Sequence, residues 1–390
     1  MNTSRANNLR ALVKNPILIK KKENLLYLLG RSFMHGYLLV KPINTDRKRI
    51  NTDVVFLGDG LEKVEGIKSD FLKNVGKYIG RGQTLEVFAD FNYGEVKYIK
   101  FKNPKLKVKV VIKREPADRV RTIKEPGEIA LIRKSMQIVE QVFKQVRKEI
   151  KKPGMTEIRL ADFIKSAGLK LGAEDISFPP IVAAGAHAAV PHHVPDGTRL
   201  KPNQSIIIDC GFKYKNYCSD FTRTVFLKSA PKKLAEAYNQ VEKAYLESMK
   251  FIETSMKLRA SASERSNPIF GNQIASSSRY DNAQFATLRN FPIVRGDQVY
   301  QKSVEVLAEK RLDKYFIHSL GHGTGLEIHE LPNLSPNSKD ILQNSMVFSI
   351  EPGVYLPKQG GIRIEDLVYL EGGKVKKFIN VSTELKDNIL

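Results

Sequence analysis

The last two thirds of this 390-residue chain follow one pattern twice, and the repeat limits the possible folds more than any other feature. From Glu128 the apolar spacing is that of a long helix, followed by a break at Pro153 and Gly154 and then a second helix. The same order returns from Leu234, with the break at Gly296. Strand-like sequence follows each copy. We therefore predict an α/β (α+β) fold whose C-terminal domain has two related halves, with helices outside and strands inside.

The N-terminal third predicts a separate, smaller α/β domain. Residues 1–112 alternate short apolar runs with basic segments, and a charged stretch then leads into a helix at Pro126, a favoured first-turn residue. We predict domains at 1–120 and 121–390. The second copy of the repeat spans 62 positions to its break and the first spans 26, a difference of 36. The extra sequence is rich in Ser and Asn, which predicts a mobile insertion without chemistry at about 258–293.

The sequence between the two copies of the repeat predicts a hairpin with one aspartate on each strand. Residues 206–211 and 217–225 have the pattern of two short strands, and a turn centred on Tyr214 and Lys215 would place Asp209 opposite Asp220. Carboxylates about 5 Å apart repel by roughly 3 kcal/mol at an effective dielectric constant near 20. Either both are solvated strand residues, or a bound cation lies between them. The three isoleucines before Asp209 indicate a buried strand and favour the cation.

More acidic and imidazole side chains favour a metal site. Six of the seven histidines lie between residues 187 and 329, and only His35 lies elsewhere. Glu351 and Glu365 each lie in an apolar run, where an unpaired carboxylate costs several kcal/mol and requires a cation or a basic partner such as Arg363. Two aspartates, two glutamates and one histidine suit two bridged divalent ions, with manganese, cobalt, iron or zinc favoured over magnesium.

Five separated motifs resemble those of the metal-dependent "pita-bread" peptidases, the family of methionine aminopeptidase, aminopeptidase P and prolidase. They are "VPHHVP", "IIDCGFKYKNYCSDFTRT", "GHGTGLEIHE", "SIEPGVY" and "GIRIEDLV". The resemblance covers about residues 121–383 and implies a curved antiparallel sheet with helices outside it. Residues 1–120 match the creatinase-like N-terminal domain of the family only loosely. The metal ligands implied by the motifs are Asp209, Asp220, His322, Glu351 and Glu365.

The motifs "PHH", "SDFTRT" and "RIED" resemble those of the proline-specific branch of the family. It implies a dinuclear-metal peptidase, with manganese favoured, that hydrolyses the Xaa-Pro bond at the N-terminus of peptides or in dipeptides. Glu351, His192 and His329 are the implied catalytic residues, and His318 and Arg363 join the two histidines in substrate binding. A homodimer is expected. Methionine aminopeptidase and a creatinase-like hydrolase are the alternative activities.

Charge and composition predict partners and location. The net charge is +22, and residues 1–128 hold 27 Lys or Arg against 14 Asp or Glu, which is +13 of that total. The basic excess in this third of the chain supports a second hypothesis, in which the protein is a non-catalytic pita-bread scaffold that binds nucleic acid or protein. The lysines are scattered and accompany no nucleic-acid motif, which favours an ordinary solvated surface instead. With two cysteines, no long apolar run and no secretory segment, we expect a cytoplasmic protein without a membrane partner.

Overall fold

The computed structural model describes residues 3–30, 36–42, 54–58, 67–79, 83–112, 114–266 and 293–390. The chain divides into two compact units, and the division falls between Arg121 and Thr122. Among the described residues, no helix combines the length and the apolar character that a membrane span requires.

The first unit is built on a mixed six-stranded sheet. Its elements, in chain order, are α1 (Thr3–Leu12), β1 (Ile17–Ile19), α2 (Lys22–Leu29), β2 (Tyr37–Val40), β3 (Val54–Gly58), β4 (Lys68–Phe71), β5 (Thr84–Phe88), α3 (Tyr93–Lys102), β6 (Lys107–Val111) and α4 (Pro116–Val120). The strand order is β4-β3-β2-β1-β5-β6, with β1 antiparallel to β2 and parallel to β5. Strand residues such as Leu18 and Leu85 pack against Val96 and Ile99 of α3 and form the core.

The second unit contains the repeated helices. They are α5 (Pro126–Glu149), α6 (Glu157–Lys170), α7 (Lys232–Ser266) and α8 (Gly296–Ala308). Pro126 occupies the first turn of α5, where its missing N–H has no intrahelical partner to lose. Helix α7 continues past residue 258, so the first part of the predicted insertion is helical. The rest of that prediction falls on residues 267–292, which lie outside the described residues.

A curled antiparallel sheet carries the second unit. Its strands and those of two smaller sheets are β7 (Asp175–Ile176), β8 (Ile181–Ala184), β9 (Ser205–Asp209), β10 (Phe212–Tyr214), β11 (Tyr217–Cys218), β12 (Phe221–Phe226), β13 (Gly321–Gly323), β14 (Glu330–Leu334), β15 (Val347–Ile350), β16 (Gly353–Leu356), β17 (Gly360–Arg363), β18 (Glu365–Glu371) and β19 (Lys374–Lys377). The main sheet has the order β14-β13-β15-β18-β12-β9-β8, with β19 paired to β18.

The strand order of the main sheet reflects the repeat. The first half of the unit supplies β8, β9 and β12, and the second half supplies β13, β15 and β18. The halves meet where β12 pairs antiparallel with β18. On one side, buried strand residues such as Phe226 and Phe348 pack against Tyr238 of α7 and Val299 of α8. The predicted fold class, with helices packed on an antiparallel sheet, is confirmed.

The hairpin of β9 to β12 differs from the predicted register by two residues. Lys215 and Asn216 form the turn, with φ of 47° and 68°, and Asp209 pairs with Thr222. The predicted pairing of Asp209 with Asp220 is therefore wrong. A two-residue hairpin turn of this type needs positive φ at both central residues, which Asn tolerates better than most residues. Because side chains alternate with period two, a shift of two residues preserves which side chains share a face.

Candidate metal centre

Strand pairing brings four carboxylates to the place where the two halves of the main sheet meet. Asp209 ends β9 and Glu365 begins β18, and both are paired with Thr222 of β12, one on each side. Because β12 and β18 are paired only at their first residues and then run in opposite directions, the end of β9 and the starts of β12 and β18 lie side by side. Glu351 follows β15, which pairs with β18, and Asp220 directly precedes β12. The four acidic residues thus reach the same place although 156 positions separate the first from the last.

The imidazole of His322 joins these carboxylates from β13. Its backbone N–H donates to the Ser349 hydroxyl of β15 at 3.1 Å, which fixes the residue beside its neighbouring strand. Its Nε2 lies 3.5 Å from Asp220 Oδ2 and 3.3 Å from Glu351 Oε1. Asp220, His322 and Glu365 offer ligand atoms that all lie within 4.8 Å of one another. This spacing is compatible with a shared metal ion.

Three of the carboxyl groups are strongly desolvated. Asp209, Asp220 and Glu365 are only 8%, 4% and 2% exposed. Burial raises the pKa of each of them. Neighbouring carboxylates raise the pKa of Asp220 and Glu365 further, while the Arg363 guanidinium opposes the shift at Asp209. Without a cation, this cluster disfavours the charged form of its own side chains.

The contact between Glu351 and His322 shifts the pKa of each side chain in the direction that favours its charged form. Burial alone would raise the pKa of Glu351, but the hydrogen bond and charge of His322 outweigh it and lower the pKa to about 2. Burial would lower the pKa of His322, and the same contact with Glu351 reverses this and raises it. The Ser349 hydroxyl also donates to Glu351 Oε1 at 3.1 Å. Glu351 is therefore an ionised carboxylate at neutral pH.

Two buried oxygen atoms of the cluster fit the binding of a cation. Asp209 Oδ1 and Glu365 Oε1 are inaccessible to solvent and have no hydrogen-bond partner among the described residues. The second oxygen of each group is held, since Arg363 Nη2 donates to Asp209 Oδ2 at 2.6 Å and Thr222 Oγ1 donates to Glu365 Oε2 at 2.7 Å. A buried carboxylate oxygen without a donor is costly unless a cation binds it. Hard oxygen donors with one imidazole fit the divalent ions that the sequence predicts.

Arg363 has a different partner from the one that the sequence suggested. The sequence offers it, as an alternative to a cation, as the basic partner of Glu351 or Glu365, but its guanidinium binds Asp209 instead. The same side chain donates to the Tyr355 hydroxyl at 2.9 Å and to the Pro191 carbonyl at 3.2 Å. Buried and held on several sides, Arg363 fixes the orientation of one carboxylate of the cluster.

The three histidines predicted to act on substrate surround this cluster. The His329 ring meets the His322 ring edge to face, with centroids 4.3 Å apart. His318 Nε2 lies 2.9 Å from the Tyr355 hydroxyl, and burial lowers the pKa of His318. His192 is exposed, and its charge lowers the pKa of both His318 and His329, so it lies within electrostatic range of both.

Sequence reasoning missed the hydroxyl groups that support the site. Thr222, Ser349 and Tyr355 bind Glu365, Glu351 and Arg363 respectively. Thr222 could have been found from the turn, because a turn at Lys215 and Asn216 pairs it with Asp209. No local pattern marks Ser349 or Tyr355, since their partners come from other strands.

The fold and the site together define a metallopeptidase. The chain belongs to metallopeptidase family M24, whose family model matches residues 130–264 and 274–371, and the predicted family and enzyme class are thereby confirmed. The candidate metal-binding residues agree with the divalent-metal chemistry of the class.

Named relatives extend this similarity. An Xaa-Pro dipeptidase of Pyrococcus furiosus is 29% identical and covers 95% of this chain and 94% of that protein. A protein of Mycoplasma genitalium that is provisionally named as an Xaa-Pro aminopeptidase is 34% identical over 66% of this chain, and the match spans 62% of that relative's length. The crystal structure of a prolidase from Pyrococcus horikoshii OT3 is similar with a TM-score of 0.77 and 25% identity, covering 98% of this chain and 100% of that chain.

Replacing Thr222 by Val tests the support of the metal centre. The change keeps the side-chain shape but removes the hydroxyl that binds Glu365, so we expect divalent-ion affinity to fall about 10- to 100-fold in a folded protein. Titration calorimetry on metal-free protein measures the affinity. Thr222→Ser keeps the hydroxyl and serves as the control, with affinity near that of the wild type. Wild-type affinity in Thr222→Val would mean that this hydroxyl does not position a ligand.

Proposed function

We propose that this protein is a dinuclear-metal-dependent peptidase that hydrolyses the bond before a proline in the second position of peptides, as an Xaa-Pro aminopeptidase or an Xaa-Pro dipeptidase. The observation that carries the proposal is the convergence of Asp209, Asp220, His322, Glu351 and Glu365 where the two halves of the main sheet meet. Two buried carboxylate oxygens of this group have no donor among the described residues. The relatives and the structural neighbour named as Xaa-Pro peptidases or prolidases support the substrate class.

Those five residues would hold the metal ions. When bound, two divalent ions would supply an ionised water as nucleophile and would polarise the carbonyl of the scissile bond. Arg363 and Thr222 keep Asp209 and Glu365 in fixed orientations, so these ligands lose little freedom on binding. The preference of the site for manganese among divalent ions stays a prediction.

Glu351 is the residue that would accept the proton of the attacking water. The Ser349 hydroxyl donates to its carboxylate at 3.1 Å and restricts its rotation. A fixed, charged carboxylate at hydrogen-bond range of a reacting water is what general base catalysis requires.

His192 and His329 would donate hydrogen bonds to the substrate. Both are exposed, whereas the five predicted ligands are buried or half-buried, and both are therefore accessible to a peptide. His192 lies within electrostatic range of both His318 and His329, which supports a single substrate-binding face. A donor aimed at charge that develops in the transition state commonly contributes a factor of about a hundred to a thousand in rate.

The alternatives rest on fewer observations. A methionine aminopeptidase or a creatinase-like hydrolase would use the same ligands but a different substrate pocket. A non-catalytic scaffold would have no need of the buried carboxylates that the chain keeps together. A homodimer and a cytoplasmic location also stay predictions from the sequence.

Hydrolysis assays on matched peptides test the proposal. Metal-free protein supplied with manganese, cobalt or zinc should cleave Ala-Pro dipeptide or Ala-Pro-Ala tripeptide and should leave the matched Ala-Ala peptides intact. Cleavage of the dipeptide alone identifies a dipeptidase, and cleavage of the tripeptide identifies an aminopeptidase. Faster cleavage of Met-Ala-Ala would favour the methionine aminopeptidase, and hydrolysis of creatine would favour the creatinase-like enzyme. Metal binding without any hydrolysis would favour the scaffold.

Removing either exposed histidine separates catalysis from metal binding. In His192→Ala and His329→Ala we expect full metal content but a rate constant lower by a factor of about a hundred to a thousand, because each variant loses a donor to the substrate. Steady-state kinetics on Xaa-Pro peptides, metal analysis and a melting curve give the three readouts. If the histidines only fill polar positions, the melting temperature will fall and kcat/KM will stay near that of the wild type.

A further inference from the structure

A second group of possible metal ligands lies apart from the carboxylate cluster. Glu157 is the first residue of α6, and His187 lies in the short 3-10 helix Gly185–Ala189. His193 and Asp196 come from the loop that follows. Each of the four offers a ligand atom, and these atoms all lie within 4.8 Å of one another. None of them belongs to the five predicted ligands of the candidate metal centre.

The distances in this group approach those of a tetrahedral zinc site. Ligand atoms about 2.0–2.1 Å from a tetrahedral zinc ion lie about 3.3 Å from each other. His187 Nδ1 lies 3.1 Å from Glu157 Oε1, and His193 Nε2 lies 2.7 Å from Glu157 Oε2. The two imidazole rings are neighbours, with centroids 4.2 Å apart. Small side-chain rotations would therefore open the space for an ion.

The carboxylate of Glu157 is held as metal ligands commonly are. Its side chain is fully buried, and its two oxygens accept the backbone N–H groups of Ala184 at 2.8 Å and Asp196 at 3.3 Å. Hydrogen bonds from surrounding groups orient metal-binding carboxylates in this way. Both imidazoles approach this one fixed group. A shared cation would satisfy the imidazoles and the carboxylate together.

We propose that Glu157, His187, His193 and Asp196 bind one zinc ion, or a similar divalent ion, at a site independent of the candidate metal centre. Two imidazoles and two carboxylates are a donor set that zinc accepts. Asp196 is exposed and the His187 side chain is 36% exposed, so an ion can enter from solvent.

The ion would join α6 to the loop that carries His192. That loop also contacts Arg363, which donates to the Pro191 carbonyl at 3.2 Å. A zinc ion bound by His187, His193 and Asp196 would hold both flanks of His192. The role assigned to this ion is therefore to restrict the loop, and the proposal does not depend on the activity proposed above.

Zinc counting by difference tests the site. Metal-free wild type and the double variant His187→Gln/His193→Gln are dialysed against zinc, and bound zinc is measured by elemental analysis. Glutamine keeps an N–H donor for Glu157 but is a poor zinc ligand, so we expect the variant to bind one ion fewer per chain. Asp162→Asn, which removes an exposed carboxylate of the same helix α6, is the matched control and should bind as many ions as the wild type.

A milder variant keeps the test decisive if the double variant does not fold. In Asp196→Asn the side-chain oxygen can still accept the Thr198 N–H, as Asp196 does at 2.7 Å, while one charged ligand is lost. We expect the zinc Kd of this site to rise at least tenfold. Equal zinc content in the double variant and the wild type, or an unchanged Kd in Asp196→Asn, would overturn the proposal and leave Glu157 as a hydrogen-bond acceptor for two histidines. Glu365→Ala should retain this ion, so failure here is distinguishable from failure of the candidate metal centre.

Discussion

Mutual repulsion between buried carboxylates is the constraint on which the rest of this structure depends. Asp209, Asp220 and Glu365 are nearly inaccessible to solvent, and burial raises the pKa of each. One arginine, Arg363, is in direct contact with one of them. A fold that keeps such a cluster must offset its free-energy cost. A divalent cation does so most directly, because it adds positive charge at the two carboxylate oxygens that have no hydrogen-bond donor in the described part of the chain.

The doubled architecture explains how the chain assembles this cluster. In each half, the last strand of the main sheet begins beside an acidic residue: β12 begins directly after Asp220, and β18 begins at Glu365. These two strands pair at the middle of the sheet. The preceding strand of the main sheet in each half, β9 or β15, ends at Asp209 or just before Glu351. The repeat thus delivers two carboxylates from each half to the place where the halves meet. Only His322 has no acidic counterpart, and it supplies the imidazole.

The sequence predicted those parts of the fold and site that depend on local pattern. Pro126, the repeated helices and the acidic strand ends can all be read from residue type and spacing. The register of the hairpin could not be read in the same way, because a shift of two residues leaves the same side chains on each face of the two strands. Only the preference of Asn216 for a positive φ distinguishes the two registers. The contacts of Arg363 and Tyr355 depend on strands that pair at long range, which no local pattern specifies. The group at Glu157 was missed for the same reason, since its histidines lie 30 and 36 positions away.

Thermal melting of Asp220→Asn, with and without a divalent ion, tests the central claim most directly. Asparagine keeps the size of the side chain and removes the carboxyl group that burial and neighbouring carboxylates destabilise in its charged form, so the metal-free variant should melt at or above the temperature of the metal-free wild type. Manganese at 100 times its Kd should stabilise the wild type by about 2.7 kcal/mol for each ion bound and the variant far less. A metal-free variant that melts below the wild type, together with equal stabilisation of both proteins by manganese, would contradict the account of a carboxylate cluster that is kept for its metal ions.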